Sequence, residues 1–283
     1  MKATLKLLRV KHYIKNILIF IPFIFGTNLG LHKIENMFVA FFAFSFMAST
    51  IYILNDLKDV EKDRLHPVKK NRPIASGKVS KGAAITIAIL LFIASVVLNF
   101  LASGSCASFI WLGIYFVLNL LYSLKLKEVP IIDIAVLVAF YIIRVYYGAA
   151  VATVPVSSWL FLTIMSAAMF LAFSKRRNEL KRRGASSREV LKFYSLRFLD
   201  KFMYLSLAVT TVFYSLWAVE QENKCFAYTI PLLLMILIRY CLVIETTDND
   251  DPVEIVTKDK MMLLFEIAYV LFGMGIVIFN ILA

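Results

Sequence analysis

Charge is scarce in this sequence: 18 % of its 283 residues are charged, whereas 60 % are hydrophobic. So low a polar content excludes a water-soluble domain with an ordinary surface and leaves a bundle of membrane helices. The ten-residue alternation of a membrane β-barrel is absent as well, and a barrel is excluded with it. Cysteine is rare, and Cys106, Cys225 and Cys241 are odd in number and lack metal-ligand spacing, so they read as packing residues. No small-residue cleavage site follows the first apolar stretch, so no removable leader is expected. There is no low-complexity tract and no sharp internal repeat, and one transmembrane domain over 1–283 is the simplest organisation.

What the chain does have is long apolar runs. A helix crossing ~30 Å of hydrocarbon needs about 20 residues. Nine candidate spans are expected, at 14–31, 36–55, 84–103, 107–123, 131–153, 157–174, 201–219, 225–244 and 261–282. Residues 1–13 read as an interfacial segment in which Lys2, Lys6 and Arg9 share one face. Acids are outnumbered 19 to 31 by Lys and Arg, a net charge of +12 that alone would also suit a nucleic-acid binder. Placement decides against that. With the N-terminus inside, 27 of the 31 cations fall on inside segments and only Lys33 and Lys224 outside, with Arg144 and Arg239 within spans. The positive-inside rule then implies an odd helix count and an outside C-terminus. The long polar connections, 56–83, 175–200 and 245–260, together with the short turn Ser123–Pro130, all face the cytoplasm in a bacterial-type inner (plasma) membrane. Membrane lipids, not nucleic acid, are the expected surroundings.

Chemistry concentrates in the first inside loop. If the second span continues as a helix, Asn55, Asp59 and Asp63 recur at i, i+4 and i+8 with Asp56 alongside, so that three carboxylates and an amide lie on one stripe. Hard oxygen donors of this kind suit Mg²⁺, with Mn²⁺ as a substitute, and Mg²⁺ is commonly shared between one or two carboxylates and substrate phosphates. Beside them Arg64, His66, Lys69, Lys70 and Arg72 can hold the phosphate oxygens that the metal does not reach. A solvated charged loop is the plain alternative, but acids at helical spacing abutting a membrane span are costly to keep without use.

The run Asn55-Asp56-x-x-Asp59-x-x-x-Asp63, followed by Arg64, His66-Pro67 and Arg72-Pro73-Ile74-Ala75-x-Gly77, resembles the first aspartate motif of the UbiA superfamily of membrane prenyltransferases. That resemblance implies an all-α fold of nine transmembrane helices around a central cavity, with the aspartate motifs at the cytoplasmic side. Members usually carry a second aspartate motif after the sixth span. Here the corresponding stretch reads Lys175-Arg176-Arg177-Asn178-Glu179-Leu180-Lys181-Arg182-Arg183, one acid among six cations. Cations at that place would grip a further phosphate directly.

The chain is similar in this respect to the decaprenyl-phosphate phosphoribosyltransferase branch of the superfamily. Further segments carry the likeness: Lys15-Asn16, Tyr122-Ser123-x-x-Leu126-Lys127 with Asp133, Arg144 with Gly148, Ser174-Lys175-Arg176-x-x-Glu179-Leu180, and Asp251-Pro252-Val253-Glu254 with Asp259. The resemblance implies transfer of 5-phosphoribose from phosphoribosyl diphosphate to a polyprenyl phosphate, with Asn55, Asp56, Asp59 and Asp63 on the metal. Lys15, Tyr122, Lys125, Lys127, Asp133, Lys175, Arg176 and Arg177 join the loop residues as substrate-binding candidates, and Arg144 joins the aspartates as catalytic. Asp133 and Arg144 lie eleven residues apart, on one face of the fifth helix. A charge as deep as Arg144 needs a cavity or a partner, an interhelix ion pair being the structural option. Arg239, nearer the inside end of its span, is expected to snorkel.

Two rivals stand beside this reading. An aromatic or quinone-type prenyltransferase would need a displaced second metal site, for which Glu245, Asp248, Asp250, Asp251, Glu254 and Asp259 are available. A transporter for a phosphorylated solute would spread ionisable residues through the bundle, whereas here nearly all charge stays on one side. Homo-oligomer formation is left open by the sequence.

Overall fold

The computed structural model describes residues 2–25, 31–66, 68–185, 188–246 and 252–282, and among these there is helix but no strand. In chain order the α-helices are α1 (Lys2–Leu8), α2 (Ile21–Ile24), α3 (Leu31–Lys58), α4 (Val60–Leu65), α5 (Lys81–Ala102), α6 (Cys106–Leu124), α7 (Ile132–Ala152), α8 (Ser158–Arg183), α9 (Leu196–Glu220), α10 (Ile230–Thr246), α11 (Pro252–Lys258) and α12 (Lys260–Leu282). Among the described residues eight helices are long and apolar enough to cross a bilayer. The span expected at 14–31 differs: residues 10–20 form a 3₁₀ helix that runs into α2, and 26–30 lie outside the described residues. The interfacial segment also divides, because α1 ends at Leu8 and Arg9 takes a left-handed backbone, φ 52° and ψ 44°.

Polar punctuation starts and stops the long helices. Ser80, Ser157 and Ser195 cap α5, α8 and α9 by accepting the backbone N–H of Ala83, Leu160 and Phe198. Gly184, at φ 71°, ends α8. That helix therefore reaches Arg183, so Lys175–Arg183 is the last turns of a helix and not loop.

The chain forms two compact units, one of residues 1–124 and 143–155, the other of 125–142 and 156–283. In the first, α3 lies along α5. Ala84 and Ala88 are buried there with Ile53, Val60, Ile74 and Leu7, and the Ser95 hydroxyl donates to the Ala43 carbonyl at 2.7 Å. Small residues and a side-chain hydrogen bond are what lets two apolar helices associate closely in lipid. Gly148 on α7 serves the same unit: a Cβ there would overlap the Ile19 backbone, so only glycine lets the 3₁₀ segment lie so close. In the second unit α8 packs along α9 through Phe170, Phe173, Leu199 and Met203, with Tyr240 and Ile244 of α10 closing the core. The outward faces, such as Ile85, Ile89, Ile93 and Phe100 of α5, are apolar and exposed, as a lipid-facing surface requires.

Candidate active site

The acidic motif starts in the last turn of α3. The helix is interrupted at Asp59, φ −94° and ψ 10°, and α4 resumes at Val60. Backbone bonding nevertheless carries across the break: the Asp59 N–H donates to the Asn55 carbonyl at 3.0 Å and the Asp63 N–H to that of Asp59 at 2.8 Å. The helical register expected from the sequence is kept, but the side chains sort differently. Asp56 and Asp63 are buried, at 3 % and 2 % exposure, and Asp59 is half-exposed. One nitrogen, Arg72 Nη1, donates to Asp56 Oδ1 at 3.0 Å and to Asp63 Oδ2 at 2.6 Å. Arg9 Nη2 donates to the same Asp56 oxygen at 2.6 Å. Among the described residues Asp59 has no ion-pair partner.

Convergence of all three carboxylates is thus corrected to convergence of two. Among the described residues no group of three or more acids, histidines or cysteines is assembled to hold a metal by itself. Two carboxylates that already share one cationic atom do fit a Mg²⁺ that completes its shell with water and phosphate oxygens.

The segment after α4 explains how Arg72 arrives there. His66 Nδ1 accepts the N–H groups of Val68 and Lys69 at 3.1 and 3.2 Å, starting the 3₁₀ turn Lys69–Asn71. Ser76 then donates its N–H to the Arg72 carbonyl and Val79 to that of Pro73, while Gly77 supplies φ 74°. Ile74 is buried against Ile53 and Val60, which turns Arg72 back toward α3. His66, expected on phosphate, therefore uses that ring nitrogen to shape the turn. Arg64 is exposed and pairs with Glu61 at 3.2 Å, Lys69 is half-buried, and Pro67 lies outside the described residues.

Arg144 belongs to the same unit. It is 5 % exposed, its Nε donates to Asn16 Oδ1 at 2.8 Å and its Nη2 to the Tyr115 hydroxyl at 3.2 Å. The guanidinium also lies 5.2 Å from the Phe44 ring and 5.1 Å from the Tyr115 ring. An amide, a phenol and two aromatic faces thus stabilise the cation. Asn16 is fixed in turn by donating to the Ser45 hydroxyl at 2.9 Å. Lys15 beside it is half-buried, as is Tyr122.

In the second unit the cations assigned to phosphate have protein partners. Arg176 is fully buried; its Nε donates to Asp133 Oδ2 at 2.6 Å and its Nη1 to Glu179 Oε2 at 2.5 Å. Asp133, also fully buried, accepts the Tyr194 hydroxyl at 2.7 Å, and that hydroxyl accepts the Ile131 N–H at 2.6 Å. Burial, and then the hydrogen bond to the Asp133 carboxylate, push the Tyr194 phenol above its ordinary pKa, so it stays a donor. Arg188 meets the other Glu179 oxygen at 2.9 Å. Arg177 bridges Asp200 at 2.6 Å and Glu245 at 2.5 Å. Asp133, Arg176 and Arg177, expected on substrate, thus have their charges neutralised by protein partners where they stand. Lys125 is exposed, and Lys127 and Lys175 are half-buried.

The acids available for a displaced second metal site are similarly engaged. Glu245 pairs with Arg177, Glu254 with Lys258 at 2.7 Å, and Asp259 with Arg239 through two bonds of 2.8 and 3.0 Å. Arg239 is thus tied to the start of α12 and does not snorkel freely, and Asp248, Asp250 and Asp251 lie outside the described residues. Sequence reasoning missed Arg9, Tyr115, Tyr194 and Arg188 as parts of these clusters. Only Arg9 gave a signal, as one of the cations near the N-terminus.

The model of the UbiA prenyltransferase family matches residues 17–265. Decaprenyl-phosphate phosphoribosyltransferase of Corynebacterium glutamicum is 32 % identical, over 94 % of this chain and 84 % of that protein. The protein of the same name from Mycobacterium tuberculosis is 28 % identical, over 95 % and 92 %. In three dimensions the chain is similar to a UbiA homologue from Archaeoglobus fulgidus bound to GPP and Mg²⁺, with a TM-score of 0.74, 17 % identity, and coverage of 97 % of this chain and 99 % of that one.

Proposed function

Because this chain belongs to the UbiA prenyltransferase family, we propose that it is a multi-pass membrane transferase that moves 5-phosphoribose from phosphoribosyl diphosphate to a polyprenyl phosphate. The observation that carries this reading is the meeting of Asp56 and Asp63 at one nitrogen of Arg72, in a chain similar along nearly its whole length to enzymes named for that reaction. The site faces the cytoplasm of an inner membrane with the C-terminus outside, a topology supported by the distribution of the cations.

Asp56 and Asp63, with Asn55 and the half-exposed Asp59, are the oxygen donors that would hold Mg²⁺. When bound, the metal neutralises charge that develops on the departing diphosphate. Arg72 and Arg9 are placed to take phosphate oxygens as bidentate donors. The bond from ribose C1 to the diphosphate oxygen breaks, an oxygen of the lipid phosphate forms the new bond to C1, and the diphosphate leaves with the electron pair. The acceptor oxygen is anionic near neutral pH, so no strong base is required. Catalysis then consists of positioning and of preorganised charge. Within the same unit, Lys15 and Arg144 are the candidates for further phosphate oxygens.

Membranes containing the protein, given Mg²⁺, radiolabelled phosphoribosyl diphosphate and a polyprenyl phosphate, are expected to yield a labelled lipid. Transfer only from a prenyl diphosphate to an aromatic acceptor would overturn the proposal in favour of the prenyltransferase rival.

A further inference from the structure

Resting on the reading of Asn55–Asp63 as the site of a metal-bound diphosphate, we propose that Arg9 and Arg72 exclude the bare divalent ion and admit it only as its diphosphate complex. Asp56 and Asp63 bring two negative charges into a place where their side chains are 3 % exposed, and Arg9 and Arg72 bring two positive ones. These four side chains are neutral together, and only the half-exposed Asp59 of the motif adds a further negative charge. Both guanidinium groups reach the same oxygen of Asp56, and Arg72 also bonds Asp63, so each carboxylate of the pair already accepts from a cation. A bare divalent ion would bring two positive charges against one carboxylate unpaired among the described residues, that of Asp59, in a partly desolvated setting where repulsion is weakly screened. A metal–diphosphate complex brings anionic oxygens with it. The guanidinium groups then turn from carboxylate to phosphate, a geometry for which they are equally suited, and the carboxylates pass to the metal.

The backbone at Arg9 points to the same role independently. A non-glycine residue at φ 52° persists only where its surroundings fix it, and such positions gather at ligand sites. Here the Arg9 guanidinium lies 4.8 Å from the Tyr52 ring centroid, and the preceding carbonyl, that of Leu8, is held by the Ser49 hydroxyl at 2.8 Å. The left-handed turn sends the side chain of an N-terminal residue across to Asp56, 47 positions away.

The test is metal binding by the full chain in detergent, with two probes: Mn²⁺ alone, followed by the electron paramagnetic resonance of the free ion, and radiolabelled inorganic pyrophosphate in the presence of Mn²⁺. Arg72→Gln is expected to bind Mn²⁺ alone about tenfold more tightly than the unaltered protein, and manganese pyrophosphate about tenfold more weakly. Arg72→Lys, which keeps the charge, is expected to stay within about threefold on the first probe. Arg9→Gln should move both probes in the same directions as Arg72→Gln and decides the matter if Arg72→Gln does not fold. Unchanged or weaker binding of Mn²⁺ alone in the folded glutamine variants would overturn the proposal. Neither probe carries a transferable group, so a failure to move phosphoribose would leave this result intact and count only against the proposed reaction.

Discussion

Arg176 offers the sharpest separation between a residue that holds the protein together and one that holds the substrate. Its guanidinium is fully buried between Asp133 and Glu179, at 2.6 and 2.5 Å. Removing one member of a buried ion pair leaves the other charged and desolvated, at a cost of about 3–5 kcal/mol. In Arg176→Met the strandings are partial, because Asp133 keeps the Tyr194 hydroxyl and Glu179 keeps Arg188. The lower end, about 3 kcal/mol, is therefore expected. At roughly 2–4 °C per kcal/mol for a chain of this size, the unfolding midpoint in detergent should fall by about 10 °C. Asp133→Leu combined with Arg176→Met removes both charges of the pair and should recover a good part of that loss, as replacement of buried ion pairs by apolar residues does elsewhere. Turnover of the folded fraction, measured well below either midpoint, should stay within about threefold of the unaltered protein. A midpoint that does not move, accompanied by a large rise in KM for either phosphorylated substrate, would refute this reasoning and return Arg176 to the ligand.

Asp59→Asn is expected to lower turnover by at least about 100-fold with the unfolding midpoint unchanged, since Asp59 is half-exposed and its loss strands no described cation; near-normal turnover would remove it from the metal's donors. Gly148→Ala should cost about 1–3 kcal/mol, read as a lower midpoint, because the added methyl meets the Ile19 backbone and not a flexible side chain. The pairing with Arg239 and the Met262 N–H holds the Asp259 carboxyl below its ordinary pKa. Its stabilisation is present above the unfolded carboxylate value and is lost as pH falls through the lowered one. A pH series of unfolding midpoints should therefore show a shallower acid decline in Asp259→Asn, and an unchanged slope would count against the pair.

The membrane helices and the acidic motif were legible because both rest on local spacing. Apolar runs announce spans by length alone. The helical path of Asn55, Asp59 and Asp63 survives the break at Asp59 because the backbone bonds bridge it, although it is Asp56 and Asp63 that share Arg72. What spacing cannot give is the partner. Six cations around Glu179 looked like a grip for phosphate, yet two of the arginines are neutralised by acids far along the chain, Asp133 lying 43 positions from Arg176 and Glu245 lying 68 from Arg177. By spacing alone Arg9 is likewise one cation of an interfacial face, because nothing local says that the chain turns left-handed and delivers it to Asp56.

The first apolar segment shows why even a strongly hydrophobic stretch does not declare its own helix type. Three residues of a 3₁₀ helix, at ~2.0 Å each, and four of an α-helix, at ~1.5 Å each, both advance about 6 Å. Tyr13 and Asn16, three apart, accordingly meet Ser49 and Ser45, four apart on α3, at 2.7 and 2.9 Å. Ile19 continues the row and is buried beneath Gly148. In an α-helix each step of three would rotate about 60° away from that face, and Asn16 would leave both Ser45 and Arg144. The 3₁₀ form of residues 10–20 is therefore dictated by the serine spacing on α3 and by the need to present an amide oxygen to a buried guanidinium. Those constraints lie about 30 and about 130 positions downstream, beyond the reach of any periodicity read within the segment itself.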